Sequence, residues 1–138
     1  MKKYVYIFLI ILVLTAIIFA GYLNKNKQNN DSKKIEVQNS ENVMSVRIKE
    51  ETEGGYVYYK TEEKELIEKV INALNNIIIE EKTDISFSDN GKTYIIELAD
   101  GATQEYYFQG GYYNENNINY KISNYNELNK IEIPKEEI

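Results

Sequence analysis

The chain has 138 residues, of which 43% are hydrophobic, carries a formal net charge of −6, and contains no Cys, His or Trp. Without Cys and His it lacks disulfides, thiolate nucleophiles, Ser-His-Asp triads and the usual ligands of zinc, copper, haem and iron–sulfur clusters. Length and composition predict one domain with accessory segments.

The first predicted element is an apolar segment at residues 4–23, which contains no charged residue. Twenty helical residues rise about 30 Å, which matches the hydrocarbon core of a bilayer. Tyr4, Tyr6 and Tyr22 lie near its two ends, where aromatic rings favour the headgroup level. We therefore predict that residues 1–23 are the transmembrane signal-anchor of a single-pass membrane protein.

A cleaved signal peptide is the alternative interpretation of this segment. The apolar region of a signal peptide is shorter, about 7–15 residues, and ends in a small-x-small cleavage site. The best candidate here, Ile18-Phe19-Ala20, has a bulky Ile where a small residue is required. The uncleaved anchor is the favoured prediction.

Lysines flank the apolar segment on both sides, so the positive-inside rule is nearly balanced. These lysines are Lys2, Lys3, Lys25, Lys27, Lys33 and Lys34. A short charged N-terminus before one hydrophobic segment is nevertheless typical of exported proteins. We predict that the C-terminal domain lies outside the cytoplasm, with a cytoplasmic domain as the alternative.

The composition changes twice after the anchor. Residues 24–42 are rich in Asn, Lys, Gln and Ser, which predicts a flexible polar linker. Residues 43–138 hold 10 basic and 19 acidic side chains, a net charge of −9. Because an acidic domain repels phosphate backbones, we expect no nucleic-acid partner.

The first half of the domain predicts a strand, an extended piece and a helix. Val43–Lys49 alternates as a half-buried strand does, and Tyr56–Tyr59 is a short extended piece. Thr61 is expected to cap the helix that follows. One apolar stripe at helical spacing runs through Leu66, Ile67, Val70, Ile71, Leu74, Ile77 and Ile78. A helix that covers its own sheet explains this stripe better than a partner-binding helix does.

The second half predicts short strands separated by turns. Asp89-Asn90-Gly91 is expected to form a hairpin, because Asn-Gly tolerates the positive φ angles of a type I′ turn. That hairpin would join strands at Thr83–Ser88 and Lys92–Leu98. The later elements are a turn at Asp100-Gly101, a strand at Thr103–Phe108, a turn at Gly110-Gly111, strands at Tyr112–Asn114 and Ile118–Ile122, and a short helix at Asn124–Lys130 capped by Ser123 or Asn124.

This order of elements predicts an α+β domain. An antiparallel meander sheet would be packed on one face by the long amphipathic helix, with the short helix at the C-terminal end. Together with the N-terminal transmembrane helix, the prediction divides the chain into an anchor (1–23), a linker (24–42) and an extracytoplasmic domain (43–138).

No pattern of catalytic or metal-binding residues emerges. Residues 86–97 place Gly91 and Glu97 as an EF-hand loop does, but Ser86 and Ser88 stand where carboxylates are needed to hold calcium. Adjacent glutamates such as Glu62/Glu63 fall in polar segments typical of solvated surface. We expect no cofactor, no metal and no enzymatic activity.

The stretch EYYFQGGYYNENNINYKIS is dense in aromatic residues. Strand alternation puts Tyr106 and Phe108 on one face, which predicts core, and Tyr107 on the other. Tyr is also common at interfaces, because its ring is apolar and its hydroxyl is polar. We take Tyr107, Tyr112 and Tyr113 as the candidate interaction surface.

The layout resembles that of small, uncharacterised, membrane-anchored or secreted proteins of AT-rich Gram-positive bacteria. The resemblance rests on KK before a hydrophobic segment, a Lys/Asn-rich tether, and a domain that ends in YYNENNINYKISNYNEL. It is one of layout and implies no activity, so no functional residue is carried over from it.

The functional hypothesis is a membrane-anchored, non-catalytic interaction module at the outer face of the membrane, with a protein or cell-wall partner. The first alternative is a domain that binds cell-wall glycan or a small ligand through exposed tyrosines. The second is an envelope enzyme, which would require acidic residues that converge in a pocket.

Overall fold

The computed structural model describes residues 2–28, 33–37, 39–87 and 90–137. The chain divides into two compact units, Met1–Ser32 and Lys33–Ile138, which are described separately.

The first unit contains one helix, α1, which spans Lys2–Gln28. Its stretch Tyr4–Gly21 is long and apolar enough to cross a membrane, a property that anchors and signal sequences share. The described side chains of this stretch are all exposed, and Ile18 is 71% exposed. The helix therefore presents apolar residues on every face and buries none of these described side chains within its own unit.

The second unit is an α+β domain with an antiparallel sheet, as predicted, and this sheet has eight strands. Its strands are β1 (Lys33–Lys34), β2 (Val43–Thr52), β3 (Gly55–Thr61), β4 (Ile78–Thr83), β5 (Lys92–Leu98), β6 (Thr103–Gln109), β7 (Tyr112–Glu115) and β8 (Ile118–Ser123). Its helices are a 3₁₀ turn at Ser40–Asn42, α2 (Lys64–Asn75) and α3 (Tyr125–Asn129). The order across the sheet is β1-β4-β8-β7-β6-β5-β2-β3, so β5 to β8 form a meander.

The long helix α2 supplies the predicted apolar stripe as far as Leu74, but it ends at Asn75, and Ile78 belongs to β4 instead of the helix. Ile67, Val70, Ile71 and Leu74 are at most 3% exposed and belong to the same hydrophobic cluster as the sheet. A helix capped by Thr61 would begin at Glu62, but α2 begins two residues later, at Lys64. The Thr61 hydroxyl instead accepts a hydrogen bond from the Glu63 backbone N–H (3.2 Å), and Glu63 takes the cap position.

One face of the sheet packs against α2 and α3, and the opposite face is called the open face here. The register places Val46 opposite Ile96 and Phe108 opposite Tyr113 on the core face. Phe108 also meets the Tyr125 ring of α3, with 5.3 Å between centroids. The open face carries Arg47, Lys49, Thr93, Tyr107, Tyr112, Asn114 and Asn119.

The predicted hairpin at Asp89-Asn90-Gly91 is wrong in its strand pairing. β4 ends at Thr83 and pairs with β8, whereas β5 pairs with β2 and β6. Three strands (β8, β7 and β6) separate β4 from β5 in the sheet. The connection therefore crosses from one part of the sheet to another, and Asp89 itself lies outside the described residues.

Part of the predicted linker belongs to the folded unit. Lys33–Lys34 form β1 beside β4, and Ile35 is only 4% exposed within the core cluster. The backbone N–H of Val37 donates a hydrogen bond to Asn75 Oδ1 (2.8 Å) at the end of α2. A single buried apolar residue and strand pairing thus order a segment whose composition alone predicts a tether.

The short C-terminal helix starts one residue later than predicted and has no side-chain cap. Asn124 adopts a left-handed conformation (φ 67°), and its Nδ2 donates a hydrogen bond to the Asn76 carbonyl (3.0 Å). The amide therefore joins the start of α3 to the end of α2. Leu128 is fully buried and packs α3 against the core.

Candidate functional site

The structure separates the three tyrosines that the sequence analysis grouped as an interaction surface. Tyr107 and Tyr112 are half-buried on the open face. Tyr113 lies on the core face and is 4% exposed, so its assignment to the open face is wrong. The two-residue turn at Gly110-Gly111 pairs Gln109 with Tyr112 and Phe108 with Tyr113, which forces Tyr113 under the helices.

An aromatic cluster forms on the open face from Phe87, Tyr107 and Tyr112. The Phe87 ring lies 5.4 Å from the Tyr107 ring and 6.5 Å from the Tyr112 ring, centroid to centroid. Both rings are tilted against Phe87, in the geometry that aromatic pairs prefer. Phe87 was predicted in a strand, but β4 already ends at Thr83. Local patterns do not indicate its ring contacts, because the residues that Phe87 touches are more than fifteen positions away.

Tyr107 is held in place by hydrogen bonds that link three segments. Its hydroxyl donates to Glu51 Oε2 on β2 (3.3 Å), and the Gly91 backbone N–H donates to the same oxygen (3.2 Å). The Glu51 backbone N–H in turn donates to the Gly91 carbonyl (2.9 Å). The contacts of these three segments therefore fix the orientation of the Tyr107 ring.

Gly91 allows this close approach. A Cβ at this position would lie 2.2 Å from the Tyr107 hydroxyl oxygen and 2.3–2.4 Å from ring atoms. Any other residue at position 91 would displace the ring or the backbone. The Gly of the Asn-Gly pair thus serves tight packing against an aromatic ring.

A second aromatic feature lies on the same face near the β2–β3 hairpin. Lys49 Nζ stands 4.0 Å from the centroid of the Tyr56 ring, within the range of a cation–π interaction. Tyr56 is 56% exposed, the most exposed aromatic side chain described in the folded unit. The sequence pattern places Tyr56 only in an extended piece and gives no sign of this contact.

Amide side chains border the aromatic cluster on its other side. Asn114 Nδ2 donates to Asn119 Oδ1 (2.6 Å), and Asn119 Nδ2 donates to the Ile85 carbonyl (2.5 Å). These bonds hold the start of the β4–β5 connection against the open face. Ile85 remains 45% exposed, which adds an aliphatic group beside the rings.

Many Lys and Arg side chains of the folded unit form intramolecular ion pairs with glutamates. The pairs join Lys33 to Glu115, Arg47 to Glu136, Lys60 to Glu62, Lys69 to Glu65, Lys92 to Glu50 and Lys121 to Glu80. Acidic side chains outnumber basic ones in residues 43–138, so the surface keeps an excess of negative charge. That field favours partners with basic or neutral surfaces.

Two clefts lie away from the aromatic cluster. One, of about 250 Å³, lies between the 3₁₀ turn and α2 and is lined by Ser40, Glu41, Val43, Lys64, Ile67 and Glu68. The other, of about 330 Å³, is lined by Gly110, Gly111, Ile122, Ser123, Asn124, Tyr125, Asn126 and Asn129. Within the described ranges, no three acidic side chains come together as metal ligands would.

The buried Tyr94 and Tyr113 and the partly buried Tyr125 are poor candidates for proton transfer or nucleophilic attack. Burial raises the pKa of Tyr113 and of Tyr125 to about 12, and it also raises the pKa of Tyr94. Their hydroxyls therefore stay protonated at neutral pH. They serve as core residues, in which Tyr94 meets Phe108 edge to face at 5.7 Å.

No family model, curated protein or solved structure matches this chain.

Proposed function

We propose that the chain is a membrane-anchored, non-catalytic interaction module that binds a protein at the outer face of the membrane. The half-exposed aromatic cluster of Phe87, Tyr107 and Tyr112 on the open face carries this proposal. The Tyr107 ring is oriented by the hydrogen bond to Glu51, and Phe87 packs against both tyrosines, so binding would cost little ordering entropy. Tyr56 and Ile85 would extend the contact on either side.

The apolar helix α1 supports the membrane part of the proposal. Its stretch Tyr4–Gly21 exposes apolar side chains on all faces, which is unfavourable in water and favourable in lipid. Lys2 and Lys3, which directly precede this stretch, favour the arrangement with the domain outside the cytoplasm.

The partner's chemistry follows from the charge of the domain. An acidic module repels anionic surfaces, and many of its own cations are already paired. We expect a protein surface with an apolar or aromatic centre flanked by Lys or Arg. Aromatic residues at the centre and charges at the rim are typical of protein interfaces.

Glycan binding through the same tyrosines is less well supported. A sugar stacks on an open ring face, but Phe87 packs against both Tyr107 and Tyr112. Tyr56 has the most exposed ring, and Lys49 occupies a position over it. The glycan alternative stays a prediction, which the experiment below separates from the favoured one.

Photo-crosslinking in living cells tests the proposal. A benzoylphenylalanine at position 112 of the full-length protein should give a discrete protein adduct under ultraviolet light. The matched control is position 68, since Glu68 is exposed on α2, away from the open face. A Phe87→Ala change in the same chain should reduce the adduct at position 112.

Three results would count against the proposal. Equal adducts at positions 112 and 68 would indicate non-specific proximity. Adducts that a muramidase releases would favour the glycan alternative. Resistance of the domain to protease added to wall-stripped cells would place it in the cytoplasm.

A further inference from the structure

The C-terminal segment, residues 131–137, pairs with the outer edge of β3 through residues 134–136. The Lys60 backbone N–H donates to the Pro134 carbonyl (3.1 Å), and the Glu136 backbone N–H donates to the Tyr58 carbonyl (2.8 Å). Lys135 stands opposite Tyr59 in an antiparallel bridge. The chain thus covers the edge of its own sheet with a short extended segment.

Two side chains fix this segment in register. Ile133 is 8% exposed and belongs to the core cluster. Three residues later, Glu136 Oε1 accepts a hydrogen bond from Arg47 Nη2 (3.0 Å) on the open face. The edge therefore recognises an extended backbone, one apolar side chain and one carboxylate.

The segment leaves part of the edge unsatisfied. Pro134 has no N–H, so it cannot return a hydrogen bond to the Lys60 carbonyl that faces it. Arg47 Nε is buried and has no acceptor among the residues the structure describes. Glu136 contacts the guanidinium through Nη2, so a carboxylate that also reached Nε would form the two-pronged pair that Arg prefers.

We infer that the β3 edge is a docking site for an extended segment of a partner protein, which displaces residues 131–137. The segment would carry an apolar residue, and a Glu or Asp three positions later, with no proline between them. Its backbone would supply the N–H that Pro134 lacks, and its carboxylate would engage both Nη2 and Nε of Arg47. This goes beyond the proposed function, because β2 and β5 separate the edge from Tyr107 on β6.

The partner has to compete with a tethered segment. A tethered competitor acts at an effective concentration of about millimolar, so the native chain binds a partner more weakly than a chain with a loosened segment. The C-terminal segment would then act as an intramolecular competitor, which lowers the affinity of the β3 edge for the partner.

Peptide binding to the full-length protein in detergent micelles tests the inference. The probe is a fluorescent peptide of residues 130–137 with Pro134→Ala, followed by fluorescence anisotropy. We expect saturable binding, and about tenfold weaker binding of the same peptide with a further Glu136→Gln change, because a charge-assisted hydrogen bond is lost. The peptide with native Pro134 should also bind more weakly.

Two protein variants sharpen the test. Ile133→Ser weakens the packing of the C-terminal segment and should raise the affinity for the Pro134→Ala peptide severalfold. Arg47→Gln should abolish the preference for the peptide that keeps Glu136 over the peptide that carries Glu136→Gln. Amide spectra of both variants verify that the sheet remains folded, and a variant that unfolds is replaced by Ile133→Ala or Arg47→Lys.

Absence of saturable binding to both the parent and the folded Ile133→Ser variant would overturn the inference. Equal binding to the parent by the peptides with and without the Glu136→Gln change would do the same. The outcome is independent of crosslinking at position 112, so failure of one proposal is distinguishable from failure of the other.

Discussion

Tyr107 on β6 donates a hydrogen bond to Glu51 on β2 across the intervening strand β5, with 3.3 Å between the two oxygens. The same carboxylate oxygen accepts a hydrogen bond from the backbone N–H of Gly91, the residue before β5. One acidic side chain thus joins β2 to the aromatic cluster. The orientation of Tyr107 depends on the fold of the whole sheet.

We predict that Gly91→Ala destabilises the domain by about 1–3 kcal/mol, because the new methyl group overlaps the Tyr107 ring. The measurement is the free energy of unfolding from urea denaturation of the full-length protein in detergent. Gly54→Ala is the control, since no atom lies within 4 Å of a Cβ built there.

A double-mutant cycle separates this clash from a general backbone effect. In a Tyr107→Ala background, Gly91→Ala should cost at least about 1 kcal/mol less than in the parent, because the overlapping ring is gone. Strict additivity of the two changes would show that Gly91 is needed for another reason.

Tyr112 and Tyr113, adjacent in the chain, should differ sharply in their contribution to stability. Tyr113→Ala removes a ring that is 4% exposed and should cost about 3–5 kcal/mol. Tyr112→Ala loses a partly exposed contact with Phe87 and should cost about 1 kcal/mol. Equal losses in denaturant unfolding would contradict the assignment of Tyr113 to the core face.

Alkaline pH should destabilise the domain through its buried tyrosines. Burial raises the pKa of Tyr113 and Tyr125 to about 12 in the folded state, from an ordinary value of 10.0. The unfolded chain therefore releases these protons first as the pH rises, so stability is complete below about pH 10 and falls between pH 10 and 12.

Absorbance of tyrosinate at alkaline pH, recorded with the unfolding free energy, measures this effect. Tyr113→Phe removes one ionising hydroxyl and should reduce the loss of stability between about pH 10 and 12. Tyr56→Phe, which removes an exposed hydroxyl, serves as the control. A loss of stability that is the same in Tyr113→Phe and the parent would contradict the role of Tyr113.

The β7–β8 turn should tolerate glycine better than alanine. Asn116 and Asn117 both have positive φ angles, 53° and 64°, as a type I′ turn requires. Asn117→Ala should cost about 1 kcal/mol, whereas Asn117→Gly should stay within about 0.5 kcal/mol of the parent. Thermal unfolding checks the order, with Asn126→Ala on the exposed side of α3 as the control.

Local sequence patterns predicted the elements that depend on neighbouring residues or on a periodic spacing of apolar residues. The apolar stripe of α2 is found as predicted up to Leu74, and so is the alternation of Tyr106, Tyr107 and Phe108. The turn after β5 is also confirmed, and Gly101 has the positive φ of 84° that such a turn favours in glycine. These features follow from backbone geometry within a few residues.

Those patterns did not predict which strands pair with each other. Alternation indicates which side chains share a face, but any amphipathic strand satisfies it beside several partners. β4 pairs with β8, some forty residues further along the chain, although an Asn-Gly turn signal precedes β5. α2 directly precedes β4 and α3 follows β8, and the Asn124–Asn76 hydrogen bond joins the two helices beside this pair of strands.

In the candidate site too, local alternation predicted one position correctly, whereas contacts between distant residues were not predicted. Tyr107 was predicted on the open face from alternation alone, and the structure confirms its position. The sequence did not indicate that Phe87 packs on it, that Gly91 makes room for it, or that Arg47 binds Glu136. Tyr113 was misplaced because its face depends on the register across the Gly110-Gly111 turn.

The sequence by itself determined that an uninterrupted apolar helix precedes an acidic α+β domain, because hydrophobicity, charge and period are properties of neighbouring residues. The tertiary structure decided which strands pair, that Ile35 and Ile133 are buried, and which tyrosines face outward. These outcomes depend on contacts between distant residues, whose free energies are settled only when the whole core packs together.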